Sequence, residues 1–110
     1  MSYQVVWTNH AKADLRYLIA RIIKDGRPLV ARKIYGTIRA RCRLLTDQPK
    51  LGRIIPELLF KDVKNYRELL YSSWRIFYRI TGTKVRIIAI MDSRRDAASY
   101  LRQRGLDQDD

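Results

Sequence analysis

Alternation of side-chain character along one short stretch constrains the fold of this chain most. Between positions 74 and 80, large apolar residues at the even positions alternate with Arg75, Phe77 and Arg79. Side chains two residues apart lie on the same face of a β-strand, so the stretch predicts a strand with one apolar face. The opposite face carries two guanidinium groups with an aromatic ring between them. We expect that second face to be open to solvent and available to a partner.

The runs on either side predict two further strands. Residues 85–91 follow a short polar connection that contains Gly82, which is typical of a β-hairpin. One face of this strand is expected to hold Val85, Ile87, Ala89 and Met91. Because every residue from 87 to 91 is apolar, we expect a central strand covered on both faces. Residues 66–71 supply the third strand, and three strands are the smallest sheet with independent stability.

The first quarter of the chain predicts a strand followed by a helix. Residues 3–7 are rich in β-branched and aromatic side chains and end at Thr8, a residue type suited to a helix N-cap. From 9 to 24 apolar residues recur at spacings of three and four, which predicts an amphipathic helix. Its apolar face is expected to bury Ala11, Leu15, Leu18, Ile19, Ile22 and Ile23.

Turn residues mark the following boundaries. Gly26 suits the position after a helix end, and Pro28 suits the first turn of a second helix, which is expected to reach about residue 45. Its core residues include Cys42. We expect the two helices to form an antiparallel hairpin packed across the sheet. Two prolines and one glycine between 46 and 59 then predict an irregular loop.

The resulting fold prediction is α+β, in one domain spanning residues 1–110. It comprises an N-terminal strand, an antiparallel helical hairpin, a three-stranded antiparallel meander and a short C-terminal helical segment at 97–104. Residues 105–110 are acidic and are expected to fray.

Charge and cysteine content limit the function classes. The chain has 23 Lys and Arg against 11 Asp and Glu, a formal net charge of +12, so a nucleic acid, an anionic membrane or an acidic protein could be its partner. A single cysteine, Cys42, excludes an internal disulfide and suits a reducing cytoplasm. With His10 as the only histidine, no metal cluster and no cofactor are expected. No signal pattern or long apolar run is evident, so we expect a cytoplasmic protein without membrane association.

Several short motifs, in this order of elements, resemble the RelE/ParE superfamily of toxins from type II toxin–antitoxin modules. The likeness extends over nearly the whole chain. The motifs that carry it are Pro49, Gly52-Arg53, Pro56-Glu57-Leu58, Arg67-Glu68-Leu69, RIFYRI at 75–80 and the closing segment 90–96.

The superfamily performs two unrelated activities on one fold, so the fold alone does not choose between them. Members similar to ParE bind DNA gyrase and trap its cleaved DNA complex, whereas members similar to RelE cleave messenger RNA in the ribosomal A site. The ParE branch is the better match here, because its members lack the nuclease residues while keeping the sheet arginines. This resemblance implies a gyrase inhibitor that is not an enzyme, with target contacts at Arg67, Arg75, Arg79, Arg94 and Arg95.

RNA cleavage is the alternative. Arg75, Arg94 and Tyr100 stand where RelE-like enzymes hold two phosphate-contacting arginines and a tyrosine, and Glu57 could serve as the general base. Against this reading, Glu68 replaces a lysine of those enzymes, and a carboxylate there would repel RNA. Tyr100 could equally dock the terminal helix against the sheet. A second alternative is a non-toxic basic module that binds nucleic acid non-specifically.

The resemblance also implies a cognate antitoxin. An acidic, partly disordered antitoxin segment would be steered by the positive charge, fold on binding and cover the groove beside the helical hairpin. The residues expected to contact it are Arg75, Arg79, Arg86 and Trp74. The same arginines could instead be ordinary solvent-facing strand residues.

Overall fold

The computed structural model describes residues 2–61 and 65–104, and within these ranges it contains five strands and three α-helices. In chain order they are β1 (Gln4–Trp7), α1 (Asn9–Lys24), α2 (Pro28–Arg43), β2 (Arg53–Ile54), β3 (Tyr66–Tyr71), β4 (Trp74–Thr81), β5 (Lys84–Asp92) and α3 (Ala97–Arg104). Short 3-10 helices occupy Leu44–Thr46 and Pro56–Lys61.

The strands form one sheet in the order β1-β5-β4-β3-β2, in which β1 runs parallel to β5 and the other pairs are antiparallel. This architecture confirms the predicted fold class. The predicted frayed tail at 105–110 lies outside the described residues.

Local signals place both helices where the sequence predicted them. The Thr8 side-chain oxygen accepts a hydrogen bond from the Ala11 amide at 3.2 Å, which caps α1. Gly26 follows α1 with a φ of +82°, a left-handed conformation that glycine adopts without a steric penalty, and Pro28 begins α2. The expectation that Ile23 is buried is wrong, because its side chain in the last turn of α1 is 50% exposed.

The helical hairpin covers one face of the sheet and forms the first core. Its buried members are Ala11, Leu15, Ile38, Cys42, Leu45, Leu69, Ile76, Tyr78, Val85, Ile87 and Ile90. Cys42 is fully buried, as predicted, and burial raises the pKa of its thiol to about 12, so the side chain serves packing rather than chemistry.

A β-bulge in β5 changes which side chains share a face. Phe77 of β4 lies opposite Ala89, whereas the next residue, Tyr78, lies opposite Ile87, so Ile88 is the extra residue on β5. One extra residue reverses the alternation. The prediction that Val85, Ile87, Ala89 and Met91 share one face is therefore wrong: the first two pack under the helices and the last two on the opposite face.

That opposite face is also covered near its centre. The 3-10 helix Pro56–Lys61 and α3 pack on it and form a second core of Ile55, Leu58, Tyr66, Phe77, Ala89, Met91, Ala97, Tyr100 and Leu101. The expectation of an open arginine-bearing face is wrong at Arg75, which is only 6% exposed. The segment 46–59, which was predicted to be an irregular loop, also contains regular structure: β2 and the start of the 3-10 helix. Alternation predicted which side chains of β4 lie on the second face. It did not predict that this face is covered, because the segments that cover it are distant in the chain.

None of the helices in the described ranges combines the length and the apolar character needed to cross a membrane.

Candidate functional site

A network of four charged side chains lies where the 3-10 helix meets the sheet. Arg75 of β4 donates from Nη1 and Nη2 to the two carboxylate oxygens of Glu57, at 2.8 and 2.7 Å. Its Nε donates to Glu68 of β3 at 2.6 Å, and the second Glu68 oxygen accepts from Arg53 Nε of β2, also at 2.6 Å. Two arginines and two glutamates therefore neutralise each other while joining three strands to the 3-10 helix.

The pairing of Arg75 with Glu57 favours the charged forms of these two side chains. Hydrogen bonds from Arg75 lower the pKa of the Glu57 carboxyl, and the bond with Glu57 raises the pKa of Arg75 above its ordinary value. The guanidinium carbon of Arg75 also lies 5.2 Å from the centre of the Phe77 ring, a cation–π distance. Arg75 is thus held on every side by the protein itself.

Glu68 does not act as the sequence suggested. Its side chain is completely buried and bound by both arginines. A carboxylate in this position presents no charge at the surface, so the expectation that it would repel RNA there is wrong. It anchors Arg75 instead.

Tyr100 docks α3 onto the rest of the fold. Its hydroxyl donates to Asp14 of α1 at 3.0 Å, and the same carboxylate oxygen accepts the backbone amide of Ile90 at 3.0 Å. The Arg95 guanidinium lies over the Tyr100 ring at 5.2 Å. Of the two roles considered for Tyr100, this geometry is that of a docking residue.

Arg94 projects into solvent from the turn after β5. It donates from Nε and Nη2 to Asp92, at 3.0 and 2.9 Å, and hydrogen bonds from Arg94 lower the pKa of the Asp92 carboxyl to about 2. The Arg94 side chain is 86% exposed. An exposed ion pair of this kind contributes little to stability, so a partner could displace it readily.

Arg79 and Arg86 lie directly opposite each other on β4 and β5. They occupy the sheet face that holds the second core, at the end away from α3. The Arg79 guanidinium lies 5.5 Å from the centre of the Tyr66 ring. These two arginines belong to the predicted antitoxin-binding set, whose third arginine, Arg75, is buried on the same face.

The remaining predicted residues point elsewhere. Arg67 donates to the carbonyl of Gly52 at 2.7 Å, and Trp74 packs against the first core with its ring 6.4 Å from that of Tyr71. Trp74 therefore lies on the helix-covered face, opposite Arg79 and Arg86. The predicted antitoxin contacts are divided between two faces of the sheet.

A cleft of about 430 Å³ opens between α1 and the end of β5. It brings together three of the predicted site residues, Trp74, Arg95 and Tyr100, with residues of α1 that sequence reasoning did not single out. Asp14, Tyr17 and Arg21 are among these, and Tyr17 is strongly exposed. Their spacing on the polar side of an amphipathic helix is ordinary, so no signal in the sequence distinguishes them.

Within residues 2–61 and 65–104, no three histidine, cysteine, aspartate or glutamate side chains come together in a way that could hold a metal ion.

Comparison with known proteins places these features in a family context. A family model described as the ParE toxin of the type II toxin–antitoxin system parDE matches residues 5–97. The chromosomal ParDE toxin–antitoxin system from P. aeruginosa contains a chain that superposes with a TM-score of 0.67 at 22% identity, over 83% of this chain and 96% of that one. A chain of the RelBE2 toxin–antitoxin complex from Mycobacterium tuberculosis superposes with a TM-score of 0.58 at 21% identity, over 84% and 92%. No curated protein matched the chain.

Proposed function

Because this chain belongs to the ParE toxin family of type II toxin–antitoxin systems, we propose that it inhibits DNA gyrase by holding the enzyme on cleaved DNA. The family assignment makes the chain a type II toxin. Its target is our proposal, and it follows from the resemblance to the ParE branch together with the state of the residues that RNA cleavage would need.

The contacts of these nuclease residues are the observation that supports gyrase, rather than messenger RNA, as the target. Arg75, Arg94 and Tyr100 would have to converge on one phosphate, yet they are bound to separate carboxylates. Arg75 binds Glu57 and Glu68. Arg94 binds Asp92, and Tyr100 binds Asp14. An arginine whose charge is already compensated by two carboxylates stabilises a phosphorane poorly. Glu57, the candidate general base, has a lowered pKa because of Arg75 and is correspondingly a weak base.

We propose that the target is contacted at the end of the molecule where α3 begins. Arg94 and Arg95 are exposed there, and Arg95 lines the cleft beside α1. Arg67 and Arg79 are partly buried and could add contacts, whereas Arg75 supports the fold beneath them. A protein target with an acidic or DNA-bound surface would be attracted by the net charge of +12.

A cognate antitoxin is the second part of the proposal. The two structural relatives come from toxin–antitoxin complexes, and the arginine pair Arg79 and Arg86 suits an acidic antitoxin segment. Trp74, which lines the cleft on the other face, could take an apolar residue of the same segment. We place toxin and antitoxin in the cytoplasm, where gyrase acts.

The deciding experiment is a supercoiling and cleavage assay with purified gyrase, plasmid DNA, ATP and this protein. We expect supercoiling to stop and linear, protein-linked DNA to accumulate. The double substitution Arg94→Glu with Arg95→Glu should reduce that inhibition at least roughly tenfold, as expected for loss of two contacts between charged groups. Lys12→Glu with Arg16→Glu, which changes the same charge on exposed positions of α1, is the matched control and should inhibit like the wild type.

Undisturbed supercoiling at saturating protein would refute gyrase inhibition. Codon-specific cleavage of ribosome-bound messenger RNA would then favour the nuclease alternative. Salt-sensitive binding to any DNA, without toxicity in cells, would favour the non-toxic binding module.

A further inference from the structure

The outer end of the Arg75 side chain is filled by another residue of the same protein. A guanidinium presents two parallel N–H groups that match the oxygens of a carboxylate or a phosphate. In Arg75 both are taken by Glu57, at 2.8 and 2.7 Å. The geometry is that of a bound anion, with the Glu57 carboxylate in the place of a phosphate group.

The inner end of Arg75 is fixed independently of Glu57. Its Nε is bound to Glu68, which is completely buried and is also held by Arg53. The side chain of Arg75 is 8% exposed and that of Glu57 is 32% exposed, so exposure increases outward from Glu68 through Arg75 to Glu57. Removal of the Glu57 carboxylate would therefore leave Arg75 oriented, with two donors directed toward the surface.

The surroundings would favour a phosphate at that point. Phe77 supports the guanidinium from one face, and Arg53, whose side chain is 54% exposed, adds a second positive charge close by through Glu68. The net charge of +12 attracts nucleic acid to the molecule in any case. An open, oriented arginine on the sheet would add a localised contact to this diffuse attraction.

We propose that Glu57 is a specificity-determining residue, which occupies the anion-binding end of Arg75 and so keeps this toxin from retaining the phosphate backbone of single-stranded RNA. The inference rests on the proposed function. A toxin directed at gyrase gains if it does not bind RNA, which is far more abundant than gyrase. It assigns to Glu57 a role opposite to that of a general base.

The test is the affinity of a fluorescently labelled single-stranded RNA 12-mer for purified variants, measured by anisotropy at several salt concentrations. Glu57→Ala should bind the RNA roughly tenfold more tightly than the control Asp47→Ala, since a charge-assisted contact is of that size. Asp47 is exposed, and both substitutions remove one negative charge. Adding Arg75→Lys to Glu57→Ala keeps the positive charge but removes the paired donors, and it should abolish the gain.

Equal affinities of Glu57→Ala and Asp47→Ala would overturn the proposal, because the gain would then reflect net charge alone. A gain that survives Arg75→Lys would also overturn it.

Folding is checked by circular dichroism. If Glu57→Ala does not fold, Glu57→Gln, which keeps the shape of the side chain, replaces it, with Asp47→Asn as the control. A Glu57→Gln variant that binds RNA no better than its control would refute the role of the Glu57 charge. Gyrase inhibition is measured separately, so its failure would be distinguishable from failure of this inference.

Discussion

Gly52 and Tyr78 show how single residues attach the loop before β2 to the centre of the sheet. The Tyr78 hydroxyl accepts the Gly52 amide at 2.9 Å and donates to the Pro49 carbonyl at 2.8 Å. Tyr78 is fully buried, and burial raises the pKa of its hydroxyl, so these two hydrogen bonds are what make its burial tolerable. A β-carbon on Gly52 would overlap the carbonyl of Glu68 and lie 2.8 Å from the Tyr78 oxygen.

Gly52→Ala should therefore destabilise the protein by about 2–3 kcal/mol, because backbone on one side and a buried ring on the other cannot both move away. Gly36→Ala is the matched control. Gly36 is exposed within α2, and a β-carbon there would meet nothing within 4 Å, so the substitution should stabilise by up to about 1 kcal/mol. Urea unfolding followed by tryptophan fluorescence measures both. Equal stability of the two variants would contradict this account of Gly52.

Arg75 illustrates which residue properties the sequence could predict. Its place on β4 followed from alternation with its neighbours. Its burial could not be predicted in this way, because it depends on Glu57, which lies 18 positions away in the chain and reaches Arg75 only through the turn of the 3-10 helix.

At the scale of elements, the best predictions concern segments whose signals are local. The bounds of α1, β3 and α3 agree with the sequence prediction because caps, turn residues and periodicity lie within or beside each segment. The bulge at Ile88 was not predicted. Because residues 87–91 are all apolar, no alternation of polar and apolar side chains shows which face of the sheet each one occupies. Most of the candidate site, including Asp14 beneath Tyr100, depends on contacts between distant segments and was likewise missed.

Thr8 links two elements and allows a test at this scale. Its oxygen caps α1 through the Ala11 amide, and its hydroxyl donates to the Ile87 carbonyl of β5 at 2.9 Å. Thr8→Ala should cost about 1–2 kcal/mol of unfolding free energy, since both bonds are lost. Thr8→Ser keeps the hydroxyl and should lose less than half as much. Chemical denaturation distinguishes the two, and an equal loss for both variants would attribute the effect to the methyl group instead.

At the scale of the whole molecule, a strongly basic surface surrounds a few well-placed carboxylates. Ion pairing with arginine lowers the pKa of Glu57 and of Asp92, and hydrogen bonds from Ser99 contribute to the lowered pKa of Asp96. A carboxyl group whose pKa is lower in the folded state stabilises the fold above its ordinary pKa, and that contribution disappears as the pH falls. Protonation also increases the net positive charge, which adds repulsion.

Stability should therefore decline as the pH falls below 4.5, the ordinary pKa of a glutamate. Glu57→Gln removes the Glu57 contribution at neutral pH, so the variant should be less stable than the wild type at pH 7, and the difference should shrink toward pH 3. Urea unfolding at pH 7, 5 and 3 measures this. A difference that stays constant with pH would mean that the charge of Glu57 does not stabilise the fold.

The pairing of β1 with β5 also bears on the order in which the fold can be completed during synthesis. Thr8, at the end of β1, bonds to Ile87, 79 positions later in the chain. β1 is synthesised long before β5 and must wait for it before the sheet can close, and such long-range pairing is slow. A chain still attached to the ribosome therefore cannot complete this sheet until β5 has been made, however early its helices form.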